Sequence, residues 1–86
     1  MPRYHFNLHD HRFVPDPEGS ELPNLEMAKR QAIKLAASIL SVRPEEFLDS
    51  SEWRVEVTNS DDILLFTVGF SMILAPATWS SADLRR

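Results

Sequence analysis

The sequence predicts an α+β domain, a two-layer sandwich in which one long helix lies across an antiparallel sheet of two β-hairpins, in the order β-β-α-β-β. Three observations lead there. Apolar and polar residues alternate through 3–9, 53–57 and 64–70, the period of strands with one buried face. Between the two strand regions, apolar residues recur at helical spacing. The chain has 86 residues, 43% of them hydrophobic and 26% charged, which suits one small globular core and not a disordered segment. A sheet with one apolar face has to bury it, and a single amphipathic helix is the cover available.

The first strand is read from Tyr4, Phe6 and Leu8, which alternate with Arg3, His5, Asn7 and His9. A two-residue turn at Asp10-His11 closes a hairpin in which Leu8 faces Phe13 and Phe6 faces Pro15, all on the apolar side. In that register His5 stands opposite Asp16 and His9 opposite Arg12, so His5, His9 and Arg12 share the polar face. Residues 15–19, Pro-Asp-Pro-Glu-Gly, end the second strand with turn formers.

The helix is expected from about residue 25 to 41. Asn24 is its N-cap, Glu26 suits its first turn, and Leu25, Ala28, Ala32, Leu35, Ala36 and Ile39 form its apolar stripe. Pro44 begins a second, short helical turn. Trp53, Val55 and Val57 then alternate with Arg54 and Glu56, residues 59–62 form a turn, and Leu64, Phe66, Val68 and Phe70 share one face of the last strand. The domain runs over 1–72, and 73–86 form a C-terminal tail.

The three segments that begin "MPRYHFNLHD", "DPEGSELPNLEMAKRQA" and "WRVEVTNSDDILLFTVGF" resemble a family of short, mostly alphaproteobacterial proteins catalogued as a domain of unknown function. The resemblance covers about residues 1–70 and implies a fold and a bacterial origin, without an activity or a ligand. The family pattern has Asp-Gly at the first turn where this chain has Asp10-His11, and glycine is the residue that takes positive φ freely.

Several chemistries are set aside by composition. The absence of cysteine removes disulfides, thiolate nucleophiles and thiolate metal sites. Only two glycines occur, so no glycine-rich phosphate cradle is available, and no serine lies in a G-x-S-x-G elbow. Residues 1–43 sum to +1 and residues 44–86 to −5, giving the net charge of −4, which argues against a general nucleic-acid footprint. Lys29, Arg30 and Lys34 read as a solvated helix face, and the acidic pairs Glu45-Glu46 and Asp61-Asp62 as solvated turn charges. Residues 63–82 carry no charge, but Thr67, Gly69, Ser71, Pro76, Thr78, Ser80 and Ser81 interrupt them, against a membrane span. With no apolar leader at the start, a cytoplasmic location is expected.

The histidines need separate weighing. In a strand His5 and His9 stand about 13 Å apart, at about 3.3 Å per residue, too far to share an ion whose ligands lie near 2 Å. The expectation is a histidine-rich polar side of a hairpin, with no metal, cofactor or catalytic residue. What remains are surfaces. A sheet covered on one side leaves edges that template another strand, and Met72, Ile73, Leu74 and Trp79 are apolar beyond the last strand. The sequence therefore points to a non-catalytic interaction or assembly module, self-associating as a homodimer or binding another protein. The alternative is a regulatory domain that binds a small ligand or metal at a histidine-lined surface shared between chains.

Overall fold

A computed structural model of the chain describes residues 1–10, 12–48, 53–72 and 80. Seven elements follow in order: β1 (Arg3–His9), β2 (Phe13–Val14), β3 (Ser20–Glu21), α1 (Leu25–Val42), α2 (Pro44–Leu48), β4 (Trp53–Thr58) and β5 (Leu64–Phe70). They form an α+β fold with one antiparallel sheet, ordered β2-β1-β4-β5, and β3 pairs with β1 as a fifth strand. The two hairpins flanking a long helix are as expected; β3 is an addition to the expected four strands.

The buried face follows the alternation. Tyr4 and Phe6 of β1, with Trp53, Val55 and Val57 of β4, meet Ala28, Ala32 and Ala36 of α1. The three alanines, four residues apart, are fully buried. Their small side chains let the helix backbone approach the sheet closely, while the larger Leu35 and Ile39 pack at the margin with Leu8, Leu22, Phe47, Phe66 and Val68. Leu25, placed on the same stripe by its spacing, is instead exposed at the first turn. Asn24 caps α1 as its residue type suggests: its side chain accepts from Met27 N–H at 3.0 Å. At the other end, the Arg43 N–H donates to the Ile39 carbonyl at 2.8 Å, and Pro44 opens α2.

The first hairpin departs from its expected register. Leu8 pairs with Val14 and His9 with Phe13, so the connection spans residues 10–12. Asp10 supports this turn: its N–H donates to the Arg12 carbonyl at 3.0 Å, and its carboxylate accepts the Arg12 N–H at 2.6 Å. A slip of one residue moves each side chain of a strand to the other face. Phe13 therefore leaves the core face and is exposed, its ring 6.1 Å from that of His9. Pro15 is also exposed, and Arg12 does not stand opposite His9.

The β4–β5 hairpin pairs Val57 with Phe66, Val55 with Val68 and Trp53 with Phe70, then shifts so that Thr58 pairs with Leu64. Leu64 is consequently exposed instead of sharing the core face. The turn is closed by Asn59, whose side chain accepts from Asp61 and Ile63 N–H at 2.9 and 3.0 Å, with Asp62 at a φ of 61°. Asp61 and Asp62 are exposed, as turn charges should be. No helix among the described residues is long and apolar enough to cross a membrane.

Candidate functional site

The strand β5 is outermost in the sheet, with β4 on one side and no strand on the other among the described residues. Such an edge presents a row of backbone N–H and C=O groups, which proteins ordinarily protect with lysine, proline or a cover. Residues 63–72 contain no charged residue and no proline. Ile63, Leu64, Leu65, Phe70 and Met72 are exposed there, Ile63 and Met72 by 56% and 58%. Phe66 and Val68 point to the helix side and are half-buried, while Phe70 leans on Trp53 with ring centroids 5.6 Å apart. Of the four expected interface residues, Met72 thus continues this apolar edge; Ile73, Leu74 and Trp79 lie outside the described residues.

On the face away from α1, the loop 15–19 folds across β1 and makes a polar cluster around Asp16. The Asp16 carboxylate accepts Phe6 N–H at 3.1 Å and Gly19 N–H at 3.2 Å. Its N–H donates to Asn7 Oδ1 at 2.9 Å, and Asn7 Nδ2 in turn donates to Thr58 Oγ1 at 3.2 Å. The expected His5–Asp16 neighbourhood exists, but the His5 ring bonds the Asp16 carbonyl, at 2.7 Å, and not its carboxylate. A carbonyl only accepts, so the His5 Nδ1 carries the hydrogen of this bond. His5, Asn7, Asp16, Thr58, Asn59 and Asp62 border a cavity of about 270 Å³ here.

His9 stands four residues beyond His5 on β1, opposite Arg54 on β4 and Phe13 on β2. Its Nδ1 is buried without a hydrogen-bond partner among the described residues. His11 lies outside them. No group of three histidine, aspartate or glutamate side chains among the described residues is placed to hold a metal ion. The polar face thus keeps His5 and His9 but not Arg12, which lines a groove with Leu8, Val14, Ile39 and Arg43, beside the end of α1. Sequence reading missed both the Asp16 cluster and this groove. The turn composition of 15–19 marks Asp16 as a turn residue, but its partners follow from the hairpin register, which local patterning misjudged.

A family model described as Domain of unknown function (DUF6894) matches residues 3–71. No curated protein and no solved structure matches the chain.

Proposed function

The chain belongs to the DUF6894 family, a domain of unknown function, and we propose from its geometry that it is a non-catalytic assembly module which pairs with a second copy through the edge of β5. The observation that carries this reading is a seven-residue edge strand, apolar and free of charge, flanked by the exposed Ile63 and Met72. A second copy is the occupant the charges favour. Two chains of net charge −4 repel each other, and residues 63–72 offer a surface where contact brings no like charges together. An antiparallel strand pairs with its own copy about a two-fold axis, so the contact closes as a dimer.

The competing reading, a ligand or metal held by histidines of two chains, does not fit this dimer. Two β1 strands in a sheet continued through β5 stand five strand spacings apart, about 24 Å at about 4.8 Å each. His5 and His9 of the two copies cannot then share an ion.

Light scattering across a range of protein concentrations tests the assembly. The wild-type chain is expected to reach twice its mass of 9.9 kDa, and Leu65→Lys to remain near the monomer mass with an unaltered far-UV circular dichroism spectrum. A lysine on the edge strand sets two positive charges against each other and protects the edge. A wild-type protein that is monomeric at every concentration, or a folded Leu65→Lys dimer, removes β5 as the assembly surface.

A further inference from the structure

We propose that the groove between β2 and the C-terminal half of α1 binds a small aliphatic carboxylate. The groove has a volume of about 370 Å³, towards the small end of the range for ligand sites. It is bordered by the two-residue strand β2 and by the last turns of α1, which runs to Val42. Its walls are Leu8 and Val14, a cross-strand pair on the helix side of the sheet, and Ile39 and Val42 of α1. Val14 and Val42 are 47% and 73% exposed, so the walls are apolar surface that the fold itself does not cover.

The rest of the lining is Arg12, Arg43 and Ser38. Two guanidinium side chains border one apolar trough in a chain whose net charge is −4. Both arginines have fixed main chains: Asp10 brackets Arg12 from its amide and its carboxylate, and the Arg43 N–H ends α1 on the Ile39 carbonyl. An arginine fork matches a carboxylate with two parallel hydrogen bonds, and an apolar stem matches the trough. A neutral lipid leaves the Arg12 guanidinium unused, and a bare anion leaves the valines in water.

The simplest competing role for the two arginines is compensation of the carbonyl end of α1. That role needs no ligand, and the two ideas separate by experiment. Octanoate and octan-1-ol are titrated into the isotopically labelled full chain, with amide shifts of Val14, Ser38 and Val42 as the readout. Octanoate is expected to move these amides saturably and to bind about tenfold or more tightly than octan-1-ol, since one charge-assisted pair separates the two probes. Arg12→Gln should remove that preference, and Val42→Glu should abolish octanoate binding, each with an unaltered far-UV spectrum. Equal affinity for the alcohol, no saturable shift with octanoate, or wild-type binding by Val42→Glu overturns the proposal. So does tighter binding at the same amides by a short peptide ending in a leucine carboxylate, which makes a chain terminus the occupant. The groove is at the β2 side of the sheet, away from β5, so failure of the dimer leaves this test intact.

Discussion

Asp16 sits in a stretch whose composition marks nothing more than a turn, yet four polar groups converge on it. Phe6 N–H lies beside the gap between β2 and β3, on the side of β1 away from β4, and the carboxylate takes the place of the missing ladder acceptor. The neighbouring Gly19 is held at a φ of +70°, and an added Cβ would lie 2.8 Å from the Tyr4 carbonyl oxygen, so only glycine serves there. Replacing Asp16 by alanine leaves two N–H groups without their acceptor. The expected loss is about 2–3 kcal/mol in urea unfolding. Asp16→Asn keeps one acceptor oxygen and should cost less. Equal stability of Asp16→Ala and wild type would show that solvent replaces the carboxylate at both amides.

Among the elements, α1 obeys its local signals best. Asn24 caps it, glutamate stands in its first turn, and the alanine positions 28, 32 and 36 bury completely. Asn24→Ala should lower global stability by about 1 kcal/mol, and Asn24→Asp should be close to neutral, both read from thermal or urea transitions. The contrast is β2. A run of three apolar residues, Phe13 to Pro15, is compatible with either face, and the choice falls to the turn. A two-residue turn places Phe13 inside, but the Asp10 bracket on Arg12 lengthens the turn to three residues and turns Phe13 outward. The same applies to Leu64, displaced by the irregularity beside Thr58.

For the whole molecule, the distribution of charge is more informative than its sum. Acidic residues cluster in the second half of the sequence, −5 over residues 44–86, while residues 63–82 within it carry none. A dimer joined at β5 therefore has an uncharged seam between two acidic bodies. Raising sodium chloride from about 50 to 500 mM shortens the screening length from above 10 Å to a few ångströms, weakening the repulsion between those bodies. Sedimentation equilibrium should show the dimer equally tight or tighter at high salt. A tenfold weaker dimer would mean that ion pairs, not an apolar edge, hold it together.

The sequence by itself determined the α+β class, the two hairpins, the helix with its cap and most of its buried stripe, and the turn at Asn59. These depend on period and on local hydrogen bonds, which neighbouring residues specify. Tertiary structure alone decided the pairing of β1 with β4, the addition of β3, the faces of Phe13 and Leu64, and the meeting of Arg12 with the end of α1. Each of those depends on register between segments far apart in the chain. In a sheet a single residue of register exchanges the two faces, and a local pattern of two or three residues carries too little burial free energy to fix it.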